Sequence, residues 1–85
     1  MQKFFIAFAS LALPLLSLAG PVNINTADAD TISNELTGIG LVKAEAIVRY
    51  RDQYGAFEVP EELLKVKGIG PRVLAANRPD IRVSD

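Results

Sequence analysis

The sequence predicts an all-α domain in which two helical hairpins pack as a pseudo-twofold four-helix unit. The stretch LTGIGLVKAEAIV, Leu36 to Val48, returns thirty positions later as VKGIGPRVLAANR, Val66 to Arg78. The shift superposes Gly38 on Gly68, Ile39 on Ile69 and Gly40 on Gly70, with Leu36 on Val66 and Ala46 on Ala76. Each Gly-Ile-Gly lies between segments whose apolar residues recur at helical spacing, and no stretch alternates as a core strand would. Two such units can cover each other's apolar faces, which neither could do alone.

The first nineteen residues read as an export signal, which leaves residues 20–85 as the domain. Lys3 gives a positive start, FFIAFASLALPLLSLA is apolar, and Ser17 and Ala19 are small residues ahead of a cut that would leave Gly20 first. An uncleaved anchor is the alternative, but the run falls short of the ~20 residues of a span and contains Pro14.

Helix one is expected over about Ala27–Leu36, with Asn25 or Thr26 as N-cap and Ile32 and Leu36 inward. Asp28 and Asp30 suit its positive end. Helix two should run from Leu41 or Val42 to Gln53, with Ala44, Ile47, Val48 and Arg51 on one stripe and Gly55 as the stop. Phe57 then plugs the gap between the halves. Helix three starts at Pro60, with Glu61 and Glu62 in its first turn and Leu63, Leu64 and Val66 inward. Helix four starts at Pro71 and ends near Asn77, before Pro79. Ile81 and Val83 in the tail pack extended beside VNIN, Val22 to Asn25.

Composition narrows the chemistry. The chain has nine Lys and Arg against ten Asp and Glu; without Lys3, residues 20–85 carry eight against ten, a net charge of −2. That excludes a bulk electrostatic grip on polyanions, so any such binding rests on local geometry. With neither Cys nor His, disulfides, thiol catalysis and a Cys/His zinc site are excluded, and no cofactor is expected. So small a domain without disulfides needs efficient helix packing.

The glycine turns supply the local geometry. A connection this tight needs backbone angles that a Cβ resists, and positive φ is expected at Gly40 and Gly70. Ile39 and Ile69 point inward and leave bare backbone outward. First-turn amides have no partner within the helix and sit at the positive end of its dipole, so a phosphate fits there. Gly38, Gly40, Gly68 and Gly70 leave it room to approach, and Lys43, Lys67 and Arg72 add charge. Such contacts hold position and read no bases.

At these residues the chain resembles tandem helix-hairpin-helix domains, whose pattern is apolar, any residue, Gly, apolar, Gly, then Ala. LTGIGLVKA fits it, and VKGIGPRVLA fits with Ala75 one position later. With the export signal, VNINTA ahead of helix one, and YGAFEVPEELLKVKGIG between the motifs, residues Val22 to Val83 resemble the ComEA competence family. The resemblance implies sequence-independent binding of double-stranded DNA through its phosphate backbone. It also implies a periplasmic location, a receptor or retention role in DNA uptake for natural transformation, and other uptake proteins as further partners. Two positions depart from the family's habit. Leu41 stands where many members have Pro, so the first turn's amides are expected to be looser. Val73 stands where the first copy has Lys43, which puts more weight on Lys67 and Arg72.

Two other function classes are open. An exported scaffold for protein partners would use the turns structurally and Glu45, Arg49 and Arg51 as its face. A DNA-processing enzyme needs a catalytic constellation. Glu61 and Glu62, adjacent on a helix, diverge and read as first-turn dipole partners. No catalytic or metal-binding residue is assigned.

Overall fold

The computed structural model describes residues 20–85; the export-signal reading concerns residues 1–19, outside the described residues. A two-residue strand β1 (Val22–Asn23) leads to helix α1 (Ala29–Glu35), the first glycine turn and helix α2 (Leu41–Tyr54). A 3-10 helix (Pro60–Lys65), the second glycine turn and helix α3 (Pro71–Asn77) follow. A 3-10 turn (Arg78–Asp80) and strand β2 (Ile81–Arg82) close the chain. The fold is all-α apart from β1 and β2, which pair in parallel with Val22 opposite Ile81. The tail therefore lies beside the start of the domain, as its apolar residues predict.

The thirty-residue repeat is visible in the core. Leu36, Ile39 and Ala44 from the first unit are buried, and so are their counterparts Val66, Ile69 and Leu74 from the second. They meet a shared centre that includes Ile24, Ile32, Ile47 and Leu63, each 0% exposed. Both turn isoleucines point inward, as expected.

Four local expectations are corrected. Helix α1 starts later than Ala27, and neither Asn25 nor Thr26 caps it. Asp28 does, accepting from the Thr31 amide at 2.8 Å. That hydrogen bond, with a second from the Thr31 side chain and the charge of Arg51, lowers the Asp28 pKa. Asn25 is committed elsewhere. Its Oδ1 accepts from the Phe57 amide at 2.8 Å, and its Nδ2 donates to the carbonyls of Phe57 and Val83 at 2.9 and 2.8 Å. Phe57 is buried and stacked on Tyr50, with ring centroids 5.3 Å apart.

The third helical segment is 3-10, and Leu64 points outward, 43% exposed. At three residues per turn, Leu63 and Val66 fall on one edge and both bury, whereas Leu64 leaves that edge. Arg51 lies on the inward stripe but packs for a polar reason: its Nη1 donates to the carbonyls of Ile24 and Ala27 at 2.7 and 2.6 Å. It ties α2 to the loop that leads into α1, which removes it from the exposed face a scaffold would use. Glu45 and Arg49 remain exposed.

Candidate nucleic-acid interface

The two glycine turns have the same backbone. Positive φ falls on the first glycine of each, 76° at Gly38 and 97° at Gly68, and not on Gly40 and Gly70 as the sequence suggested. The second glycines are extended N-caps, with φ −74° and ψ 178° at Gly40 and φ −108° and ψ 177° at Gly70. The difference has a simple cause. The chain must reverse at the first glycine and then straighten before it can enter the next helix. Leu41 and Pro71 begin their helices in equivalent places.

Backbone angles therefore do not explain Gly40 and Gly70, since any residue adopts them. Nor does internal packing: among the described residues, a Cβ at either would meet no atom within 4 Å. Both open outward. Neither helix start has a side-chain cap, and neither first turn contains an acidic residue. The first-turn amides of α2, and those of α3 after Pro71, have no carbonyl partner within their helices. The 14 residues of α2 also align more peptide dipoles behind its turn than the 7 of α3 do.

The charged residues separate the same way. Residues 36–44 and 63–79 contain no Asp or Glu. Lys67 and Arg72 are exposed beside the second turn. Lys43 belongs to the first unit by sequence, yet its stem crosses the second turn. A Cβ at Gly68 would lie 3.4 Å from Lys43 Cγ and 3.6 Å from its Cε. The structure thus gathers Lys43, Lys67, Gly68, Gly70 and Arg72, and leaves Gly38 and Gly40 as a turn without a lysine stem across it. The ion pairs among the described residues, Arg51 with Asp52 and Arg78 with Glu61, involve none of Lys43, Lys67 and Arg72.

One residue that bears on the turns has no sequence signal of its own. Asn77, 2% exposed, is the one buried polar side chain among the described residues. Its Oδ1 accepts from the Thr37 amide at 2.7 Å, and its Nδ2 donates to the carbonyls of Thr37 and Val73 at 2.7 and 2.9 Å. The repeat places Asn77 on Ile47, a polar residue where the first unit buries an apolar one. That mismatch was the available clue. No group of His, Cys, Asp or Glu able to hold a metal ion occurs among the described residues.

Fold and turns together define a tandem helix-hairpin-helix domain. The helix-hairpin-helix motif family matches residues 18–82, and the chain belongs to it. It is ComEA-like: it is 40% identical over 62 residues to ComE operon protein 1 of Bacillus subtilis, covering 73% of this chain and 30% of that protein. An uncharacterized protein of Haemophilus influenzae is 55% identical over 60 residues, covering 71% of this chain and 54% of that one. The endonuclease/exonuclease/phosphatase family domain-containing protein 1 of Xenopus laevis is 38% identical over 65 residues, only 12% of its length. The chain thus spans about half of the Haemophilus relative and less of the other two.

Proposed function

We propose that the protein binds double-stranded DNA without regard to base sequence, through phosphates seated against both glycine turns. It acts in the periplasm as a receptor or retention protein during DNA uptake for natural transformation. It is a binding module and not an enzyme. The observation that carries the reading is that Gly40 and Gly70 are needed neither for φ nor for internal space. Glycine there makes sense when something outside must come close to the backbone. Among the described residues Lys43, Lys67 and Arg72 have no acidic partner, and they supply charge at the second turn. The longer dipole of α2 supplies it at the first. The ComE relative supports the competence role. Among the described residues no helix is long and apolar enough to cross a membrane.

Titration of the purified protein with random-sequence duplex at several salt concentrations tests the reading. Each neutralised phosphate contributes about −0.9 to the log–log slope, so about four contacts give a slope of about −3 to −4. A strong preference for one duplex sequence, or a flat salt response, would contradict it.

A further inference from the structure

We infer that Asn77 is a positioning residue for DNA binding: it holds the first glycine turn in place from the far end of the helix that the second turn begins. The inference rests on the DNA-binding reading above. The Asn77 side-chain amide acts as a substitute peptide. It takes the Thr37 N–H and gives a hydrogen to the Thr37 carbonyl, each at 2.7 Å, which fixes the peptide groups on both sides of Thr37. Thr37 immediately precedes Gly38, where the chain reverses at φ 76°. Its other Nδ2 hydrogen is spent on the Val73 carbonyl of its own helix at 2.9 Å, so the rotamer is fixed too.

The task needs a donor and an acceptor side by side. A leucine of similar size would leave both Thr37 groups unpaired at the edge of the core, and an aspartate would set a carboxylate oxygen against a carbonyl. Helix α3 starts at Pro71, directly after Gly70, and ends at Asn77. Its seven residues make a strut about 10 Å long between the two turns. Two phosphate seats on one duplex help each other only while their spacing is fixed. Loosening one lowers the effective concentration at which it meets the DNA. The support is one-sided. Lys67, the counterpart of Thr37, has Ile47 at the position equivalent to Asn77, and Ile47 has no hydrogen bond to offer.

A double-mutant cycle tests this. Duplex affinity is measured for the parent, Asn77→Ala, Gly40→Val and their combination, at a temperature where all are folded. With Asn77 gone the first turn is already displaced. Gly40→Val should then cost about threefold less, or smaller still, than in the parent, because residues in one network couple. The Lys67→Ala/Arg72→Ala loss should be the same in both backgrounds, and the salt slope of Asn77→Ala should be shallower by about 1. Additive losses with an unchanged slope would overturn the inference, since general destabilisation alone predicts that pattern. If Asn77→Ala does not fold, Asn77→Asp, which keeps volume and acceptor, serves in the same cycle. In the parent itself, the Thr37 amide should exchange with solvent deuterium more slowly than the Lys67 amide; equal rates would show that the clamp does not hold. A parent that binds no duplex would overturn the DNA-binding reading and this inference with it, whereas a binding parent with an additive cycle would overturn this inference alone.

Discussion

The two glycine turns share a sequence and a backbone but not their supports. The first, residues 36–40, is followed by the 14-residue α2 and is gripped from outside by Asn77. The second, residues 66–70, is followed by the 7-residue α3 and is closed by its own bond from the Ile69 amide to the Val66 carbonyl at 3.1 Å. The stem of Lys43 lies across it. Five adjacent residues are enough to dictate the turn, because the reversal, the buried isoleucine and the extended cap are local requirements. What surrounds the turn is decided by tertiary packing, and there the repeat diverges. Dipole and clamp favour the first turn as an amide seat, and side-chain charge favours the second.

The largest effect should come from the reversing glycines. Gly68→Ala puts a Cβ at φ 97°, in ordinary contact with the Lys43 stem, and Gly38→Ala puts one at φ 76°, nearer the left-handed well at about 57°. Both should destabilise by about 1 kcal/mol or more, with Gly68 the worse. Chemical denaturation of the pair checks the order; equal losses would show that the larger φ at Gly68 adds no strain.

Next come the cations. Lys67→Ala with Arg72→Ala should leave the thermal midpoint nearly unchanged, since exposed positions move stability by about 0.5 kcal/mol. Duplex affinity should fall by roughly tenfold or more at low salt, two charges being lost from about four contacts. Unchanged binding by a folded variant would remove the charge assigned to the second turn.

The smallest effect concerns the helix that leads into the first turn. Because the Thr31 hydrogen bonds lower the Asp28 pKa in the fold, this cap stabilises the protein above the unfolded carboxyl value. The contribution fades as pH falls through the depressed folded value. Asp28→Ala should therefore lower the thermal midpoint slightly at neutral pH and not at strongly acid pH. A difference that persists undiminished in acid would mean that the cap is not the cause.

Much of this was legible in the chain. Repetition announced the turns, helical spacing announced α2 and α3, and Pro60 and Pro71 marked helix starts to the residue. The 3-10 winding of Pro60–Lys65 was not legible, because its six residues satisfy α and 3-10 periods equally until Val66 must bury with Leu63. Asn25 was misplaced because an asparagine ahead of a helix has local reasons to cap it, and its real partners lie 32 and 58 residues away. Asn77 escaped for the same reason, its partner Thr37 being 40 residues distant. The candidate site divides likewise. Its glycines and cations could be named from spacing, but only packing shows that Lys43 serves the opposite turn and that neither φ nor internal space requires glycine at positions 40 and 70.

Gly40 and Gly70 are where a phosphate seat and a plain turn differ most, and one measurement separates the two. Gly40→Ala and Gly70→Ala are combined, and both the thermal midpoint and the affinity for random-sequence duplex are compared with the parent. Each substitution adds one methyl group at an ordinary φ, with no atom of the described residues within 4 Å. The variant should remain folded with a midpoint close to the parent's, and its duplex affinity should fall by about tenfold or more, because two phosphate seats are blocked at once. A folded variant that binds duplex as well as the parent does would show that the outward-facing glycines are only turns.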